Sequence, residues 1–195
     1  MMGAATFMDY RQLMAGARDP ADAVTQAFGG VLARFRIRGL EAPVLARLLS
    51  RYFPDADEVW VNVPSADDQA GCSALCAEEF EDLLMLLRAH RSEDSEETEW
   101  LAHAIATACL GDNHLWQDMG LPNRETLSEL LKRYFTTLCI RNKGNMKWKK
   151  FFYKQLCERA EVFVCKAPSC SVCSDYVHCF GPEEGGAETV NVNKS

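Results

Sequence analysis

The sequence predicts an all-α fold: a single helical domain with a cysteine-rich, metal-binding loop near its C-terminus and a disordered tail. Along most of the 195-residue chain, apolar residues recur at three- and four-residue intervals, which is the spacing of one helix face. The one strand-like run, 59–63, ends at Pro64, so we interpret it as an extended loop. The length suits one domain, which we place at residues 1–181, and the residues at 182–195 have the composition of a disordered tail.

Six helices are predicted, and each has an apolar face and residues that can begin or end it. In chain order they span residues 20–36, 41–53, 78–88, 96–110, 123–138 and 146–159. Asp19 and Pro20 begin the first helix, and the Gly29-Gly30 pair in its interior is expected to weaken it. Pro54 ends the second helix.

Side chains that can cap a helix N-terminus precede three of the later helices. Ser95 follows a charged connector and precedes the fourth helix, Asn123 precedes the fifth, and Asn145 precedes the last. In the fifth helix, the apolar residues from Leu127 to Leu138 all fall on one face. The sequence therefore predicts one continuous helix there.

Charge is unevenly distributed along the chain. Residues 55–99 contain 14 acidic residues against two Lys or Arg, and we interpret this part as a solubilising face. Residues 141–166 contain eight Lys or Arg against two Glu. The whole chain has a net charge of −7, which argues against a general nucleic-acid-binding protein. No stretch approaches the roughly 20 apolar residues that span a bilayer, so no membrane association is expected.

The N-terminus does not have the pattern of a signal peptide. It lacks a basic segment, and Asp9 interrupts its apolar run. We therefore expect a cytoplasmic protein, in a compartment that keeps thiols reduced. Nine cysteines in a reducing compartment point to metal or redox chemistry rather than to a disulfide framework.

Four of the nine cysteines, Cys165, Cys170, Cys173 and Cys179, lie within fifteen residues in the pattern C-x4-C-x2-C-x5-C. Four thiolates on one short loop can converge on a single soft metal centre, and iron–sulfur clusters are held in this way. Structural zinc is the competing interpretation, although zinc usually joins two C-x2-C pairs that are a dozen or more residues apart. The spacing favours an iron–sulfur cluster and leaves zinc open.

Three further residues are candidate metal ligands. His178 and Asp175 lie inside the cysteine loop, and Cys157 lies eight residues before it, on the helix that leads into the loop. A lone histidine such as His178 is more commonly a surface or hydrogen-bonded residue than a ligand, and Asp175 is more commonly a turn residue. Cys157 could be a spare ligand. Cys109 and Cys139 fall on or beside apolar helical faces and are predicted to belong to the core.

Lys147, Lys150 and Lys154 are spaced to share one face of the last helix. A cationic face near the loop would stabilise an anionic cluster or bind an oxyanion, and it would attract an acidic partner. The alternative is an ordinary solvated face opposite the aromatic stripe. The other three histidines, His90, His103 and His114, are predicted to be structural or solvated.

Three stretches of the sequence resemble the NifQ family. They are Asn113 to Leu121, Asn145 to Glu158, and Cys165 to Gly181 with its four cysteines. The resemblance is specific from about residue 110 to 181 and only general before that. The residues of the C-terminal stretches carry the full cysteine spacing, so a chance match is not expected.

The resemblance implies a role in handling molybdenum for bacterial nitrogen fixation. The four cysteines would hold a cluster of the [3Fe–4S] type that takes up molybdenum to become a Mo–Fe–S cluster. Three of them would ligate iron and the fourth would contact molybdenum, and we expect Cys179 to be that fourth ligand, because it follows the longest gap.

As a molybdenum donor, or metallochaperone, the protein would pass the metal to the assembly of the nitrogenase iron–molybdenum cofactor. Its partners would be the cofactor scaffold, the nitrogenase iron protein and a source of molybdenum such as molybdate. We expect no enzymatic turnover, since the sequence contains no G-x-S-x-G, H-E-x-x-H or P-loop motif. An iron–sulfur electron carrier and a zinc-stabilised interaction module remain as alternatives.

Overall fold

Helices form the regular structure of the protein. The computed structural model describes residues 9–55, 74–159 and 176–183, and these residues contain ten helices and no strand. In chain order the helices are α1 Tyr10–Ala15, α2 Ala23–Arg34, α3 Ala42–Tyr52, α4 Ala74–Ala89, α5 Glu96–Cys109, α6 Leu115–Asp118, α7 Arg124–Tyr134, α8 Thr136–Arg141, α9 Trp148–Arg159 and α10 Tyr176–Phe180. The predicted all-α class is confirmed, whereas the strand-like run at 59–63 lies outside the described residues.

Helix α5 lies at the centre of a single helical domain. Thr98 and every residue from Trp100 to Cys109 are buried, because α2, α4 and α6 all pack against this helix. The sequence predicted only one apolar face for it, but its many alanines let neighbouring helices approach from all sides. Helix α9 packs against α4, so the C-terminal part of the chain shares the same core. In the described residues, no helix is both long enough and apolar enough to cross a bilayer.

Two of the predicted N-caps are confirmed. The Ser95 side chain accepts a hydrogen bond from the Thr98 amide at 3.2 Å, and the Asn123 side chain accepts one from the Thr126 amide at 2.8 Å. These are local contacts across three residues, so the sequence alone contains them. Helix α3 also agrees with its predicted range to within one residue at each end.

The first predicted helix begins later than expected. Asp22, rather than Asp19, caps α2, and its carboxylate accepts a hydrogen bond from the Thr25 amide at 2.8 Å. Asp19 instead closes a turn by accepting from the Ala21 amide at 3.1 Å. The helix ends at Arg34, before Arg36 takes a positive φ of 56°. The observed helix therefore begins later and ends earlier than the predicted range, 20–36.

The prediction of one helix over 123–138 is wrong, because the chain breaks at Phe135, where φ is −137° and ψ is 49°. The Ser92 amide donates to the Tyr134 carbonyl at 2.9 Å, and the Ser92 hydroxyl accepts from the Thr136 amide at 3.0 Å. These contacts use backbone groups that a continuous helix would pair internally. Leu138 is still buried, so the apolar spacing gave no sign of the break.

The last predicted helix also begins later, at Trp148. Asn145 has a φ of 53° and does not cap it. Asn142 organises the preceding turn instead, since its side chain accepts from the Met146 amide and donates to the Met146 carbonyl, both at 2.8 Å. The inward positions of the aromatic residues are confirmed, with Trp148, Phe151 and Phe152 all buried.

Three short helices, α1, α6 and α10, and the first residues of α4 were not predicted from the sequence. Helices α1 and α6 have only six and four residues, too few to show a clear apolar period. Helix α4 begins at Ala74, four residues before the predicted start. Residues 176–179, which were assigned to the cysteine loop, form the helical turn α10 together with Phe180.

Gly30 allows α2 to approach the backbone that follows α6. A Cβ atom at Gly30 would lie 2.3 Å from the Met119 carbonyl oxygen, and one at Gly120 would lie 2.7 Å from the Gly30 Cα. Gly120 also has a φ of 68°, a conformation that favours glycine. The Gly29-Gly30 pair was expected to weaken the helix, but this contact gives Gly30 a packing role.

We predict that Gly30→Ala lowers the free energy of unfolding by about 1–3 kcal/mol, because a backbone must move to accept the methyl group. Gly29→Ala is the matched control, since its nearest neighbour is the flexible Met14 side chain, 2.8 Å from the added Cβ. Urea unfolding of both variants would measure the difference. Equal destabilisation of the two would contradict the packing role of Gly30.

Candidate metal centre and adjoining cleft

Helix α10 is hydrogen-bonded to the residue that precedes α9, and this contact fixes the position of Cys179. The Lys147 amide donates to the Cys179 carbonyl at 2.8 Å, and Phe180 packs beside the turn at Gly144. The Cys179 thiol is not in a disulfide, and the residue is partly exposed. One of the four predicted thiolate ligands is thus held on the surface of the helical domain, beside a positively charged segment.

The remaining predicted ligands are distributed as follows. Cys165, Cys170, Cys173 and Asp175 lie outside the described residues. Within residues 9–55, 74–159 and 176–183, no three His, Cys, Asp or Glu side chains form a group suited to a metal ion. Cys157 lies ten residues after the contact between Lys147 and α10, which is about 15 Å along a helix axis.

A cleft of about 390 Å³ opens beside α10. It lies between the connection from α5 to α6, the start of α9, and α10. Its lining residues are Asp112, Asn113, His114, Leu115, Gln117, Lys147, Trp148, Lys149, Lys150, His178 and Glu183. Three lysines and two histidines therefore face two carboxylates, so the cleft carries an excess of basic groups.

The three lysines of the cleft have different surroundings. The Lys149 ammonium donates to the Asp118 carboxylate at 2.6 Å and to the Gly111 carbonyl at 2.7 Å, so it serves the structure of the wall. Neither Lys147 nor Lys150 has an ion-pair partner within the part of the chain that the structure describes. These two ammonium groups are the cleft's available positive charges.

The structure brings together two of the three lysines that the sequence singled out. Lys147 and Lys150 line the cleft, whereas Lys154 does not. Lys154 lies about 10 Å further along the axis of α9 than Lys147. Its ammonium is 3.8 Å from the Glu158 carboxylate, and its side chain is 45% exposed. A shared helix face therefore did not mean a shared site.

A buried carboxylate holds the wall of the cleft in place. Asp118 is completely buried and accepts hydrogen bonds from the Asn113 amide at 3.1 Å and from the Asn113 side chain at 2.9 Å. Together with its ion pair to Lys149, these bonds tie the connection between α5 and α6 to the start of α9. Arg34 of α2 approaches the same carboxylate at 3.5 Å.

His114 is a cleft residue that sequence reasoning missed. Its amide donates to the Gln117 side chain at 3.1 Å, and its Nδ1 atom lies 3.8 Å from the Glu183 carboxylate. The signal was its position inside the 113–121 stretch that resembles a known family. His90 and His103 are in structural hydrogen bonds, to Thr137 and to the Arg38 carbonyl, as predicted. His178 lines the cleft from α10.

The beginning of the predicted tail is also held against the domain. The Glu183 side chain is only 6% exposed, and its carboxylate lies 3.4 Å from the Arg124 guanidinium. The predicted domain boundary at residue 181 and the predicted disorder of residues 182–195 stay predictions. The remainder of the predicted disordered tail, from residue 184, lies outside the described residues.

Comparison with known proteins identifies the family. The NifQ family model matches residues 21–181, which include the whole of α2 to α10 and every residue that lines the cleft except Glu183. The chain belongs to the NifQ family. Protein NifQ of Azotobacter vinelandii is 42% identical over 153 residues, which cover 74% of this chain and 77% of that protein. No solved structure matches the chain.

Two further NifQ proteins extend this comparison. Protein NifQ of Rhodobacter capsulatus is 34% identical over 145 residues, covering 74% of this chain and 76% of that protein. Protein NifQ of Klebsiella pneumoniae is 45% identical over 82 residues, covering 41% of this chain and 48% of that protein. The NifQ family is involved in molybdenum processing for the nitrogenase cofactor. The resemblance noted in the sequence is confirmed at this level.

Two cysteines of this NifQ-family chain are part of the core, as predicted. Cys109 is buried in α5, and burial raises the pKa of its thiol to about 12. Partial burial likewise raises the pKa of Cys139 on α8. A thiol with a raised pKa is a poor metal ligand at neutral pH, because the thiolate is the binding form.

Proposed function

We propose that this chain is a molybdenum donor. It holds an iron–sulfur cluster on Cys165, Cys170, Cys173 and Cys179, binds molybdenum there as a Mo–Fe–S cluster, and passes the metal to assembly of the nitrogenase iron–molybdenum cofactor. It acts in the cytoplasm as a metallochaperone, without enzymatic turnover. The observation that carries this proposal is the placement of Cys179, a free and partly exposed thiol beside a cationic cleft, in a NifQ-family chain.

The donor set suits such a cluster. Thiolates are soft ligands that favour iron–sulfur clusters over hard cations, and the four cysteines span only fifteen residues. When bound, the cluster supplies sulfide ions that can bind a thiophilic metal. A cluster with four thiolate ligands is anionic, and Lys147 and Lys150, which have no ion-pair partner among the described residues, line the cleft beside Cys179.

The chain's own residues fix one end of the cysteine segment. The hydrogen bond from the Lys147 amide to the Cys179 carbonyl and the ion pair of Glu183 with Arg124 hold α10 from both sides. A ligand on a fixed element is better positioned than one on a free loop. The partners in this proposal are the cofactor scaffold, the nitrogenase iron protein and a molybdenum source such as molybdate.

Metal and sulfide analysis tests the proposal directly. The full chain is purified without oxygen from cells supplied with molybdate, and its visible and EPR spectra are recorded. We expect a brown protein with about three irons per chain, matching sulfide, and molybdenum. Iron and sulfide that never acquire molybdenum, even after incubation with molybdate, would replace the donor by an electron carrier. Zinc alone, in a colourless protein, would indicate that the cysteines form a structural zinc site.

A further inference from the structure

We propose that the cleft beside α10 binds a tetrahedral oxyanion, and that Glu183 occupies it as an internal carboxylate until the oxyanion displaces it. The inference rests on the proposed function in one respect, since it takes molybdate as the oxyanion and the cysteine cluster as its destination. It concerns the residues that receive the metal before any thiolate does.

Basic groups converge on the cleft from three separate elements. Lys147 immediately precedes α9 and Lys150 lies in its first turn, while His114 comes from the connection between α5 and α6, and His178 from α10. A tetrahedral anion has acceptor oxygens on all sides, so donors that approach from several directions suit it better than they suit one planar carboxylate. The start of α9 adds the positive end of a twelve-residue helix.

The surroundings of the lysines and the size of the cleft both indicate that Lys147 and Lys150 have a role other than stabilising the fold. Lys149 stabilises the fold through an ion pair, in which its ammonium lies 2.6 Å from the Asp118 carboxylate. Lys147 and Lys150 have no such partner in the residues that the structure describes. The cleft volume of about 390 Å³ is within the usual range of small-ligand sites, and Trp148 and Leu115 provide apolar walls.

The position of Glu183 also indicates that the cleft can bind an anion. Its carboxylate lies in the cleft, with His114 at 3.8 Å and Arg124 at 3.4 Å, and its side chain is almost fully buried. A buried carboxylate is costly unless basic groups compensate it, and Arg124, outside the cleft lining, and His114 of the cleft compensate this one. An incoming oxyanion would compete with Glu183 for His114, while Arg124 can keep the displaced carboxylate nearby.

The position of the cleft relates it to the cysteines. Lys147 contributes its side chain to the cleft and its amide to the Cys179 carbonyl, so a single residue joins the two. His178 lines the cleft and is adjacent in sequence to Cys179. An oxyanion bound there would lie next to the cysteine that we expect to contact molybdenum.

Equilibrium dialysis with molybdate tests the inference. The full chain is purified without oxygen from cells grown without added molybdate, and bound molybdenum is measured by mass spectrometry. We expect the double variant Lys147→Gln, Lys150→Gln to bind molybdate at least about tenfold more weakly than the unmodified chain, because two charge-assisted contacts are lost. Glu183→Gln should bind about threefold or more tightly, because the internal competitor loses its charge.

The matched control is Lys132→Gln, Lys143→Gln, which removes two positive charges from exposed residues that do not line the cleft. Its affinity should stay within about twofold of the unmodified chain. Equal losses in the two double variants would reduce the effect to net charge and overturn the inference. Unchanged or weaker binding in Glu183→Gln would overturn the role of that carboxylate.

Two further readouts keep the inference separate from the proposed function. A tenfold excess of sulfate should leave molybdate bound, and complete displacement would assign the cleft to another oxyanion and overturn the role in molybdate binding. The iron and sulfide content of the same samples is also measured, to distinguish oxyanion binding in the cleft from binding of the cluster. A chain that carries the cluster but binds no molybdate would overturn the cleft alone, whereas molybdate binding without iron would support the cleft and refute the proposed cluster.

Discussion

Replacing Cys170 by alanine is expected to yield a protein without iron, without acid-labile sulfide and without bound molybdenum. Cys170 is the second of four thiolates within fifteen residues, so its loss leaves the two central positions of the pattern with one ligand. A cluster held by too few thiolates is not retained, because each iron needs its own protein ligand. Metal analysis, the visible spectrum and the EPR spectrum of the purified variant would measure the effect.

Replacing Cys179 is expected to have a different result. If Cys179 is the ligand that contacts molybdenum, then Cys179→Ala keeps iron and sulfide but loses molybdenum during gel filtration. The backbone contact that places this residue is the Lys147 amide to the Cys179 carbonyl, which the substitution leaves intact. Comparing the two variants therefore distinguishes cysteines that retain the iron–sulfur cluster from the cysteine that retains molybdenum.

Cys139→Ala is the control for both variants. Cys139 is partly buried against the core, away from the cysteine segment in sequence, and it should keep iron, sulfide and molybdenum. Full iron and an unchanged visible spectrum in Cys170→Ala would contradict the cluster assignment. Complete loss of iron in Cys179→Ala would make all four cysteines iron ligands and would leave molybdenum to another residue.

The predicted and observed folds differ where contacts between distant segments decide the backbone. Ser95 and Asn123 cap their helices through residues three positions away, so their roles follow from local sequence. The break at Phe135 follows from hydrogen bonds with Ser92, more than forty residues earlier in the chain. No local pattern contains that pairing, and the apolar spacing is the same on both sides of the break.

The candidate site shows the same division. The four-cysteine spacing is a local signal, and it predicted the kind of centre without any knowledge of the fold. The cleft depends on Asp118 and Lys149, which are 31 residues apart and read in the sequence as ordinary polar residues. His114 lies in the connection that this ion pair holds against α9, whereas Glu183 is held at the cleft by Arg124. Family resemblance marked these stretches, while the structure supplies the physical reason.

Asp118→Asn is expected to lower the free energy of unfolding by about 3 kcal/mol, the largest stability effect among the substitutions considered. The carboxylate is completely buried, and it accepts two hydrogen bonds from Asn113 as well as the ion pair from Lys149. The Lys149 side chain is only 17% exposed, so water replaces the lost carboxylate poorly. Urea unfolding, with equal slopes for the two proteins, would measure the change.

A second substitution distinguishes a buried ion pair from simple packing. Lys149→Met alone should also destabilise, because it leaves the Asp118 charge buried with Arg34, at 3.5 Å, as its one remaining cation among the described residues. In the double variant Asp118→Asn, Lys149→Met neither charge remains, so its loss should be smaller than the sum of the single losses by about 1 kcal/mol or more. Additive losses would show that the two charges do not interact in the folded state.

Glu96→Gln provides the matched surface control. The pair of Arg47 with Glu96 has a distance of 2.8 Å, but both side chains are more than half exposed, at 54% and 58%. Its loss should cost less than about 1 kcal/mol, since water solvates the freed groups. Asp118→Asn should also weaken molybdate binding, because the connection that carries His114 loses its attachment to α9, whereas Glu96→Gln should not. A stable Asp118→Asn variant with an intact cleft would mean that packing alone holds this wall.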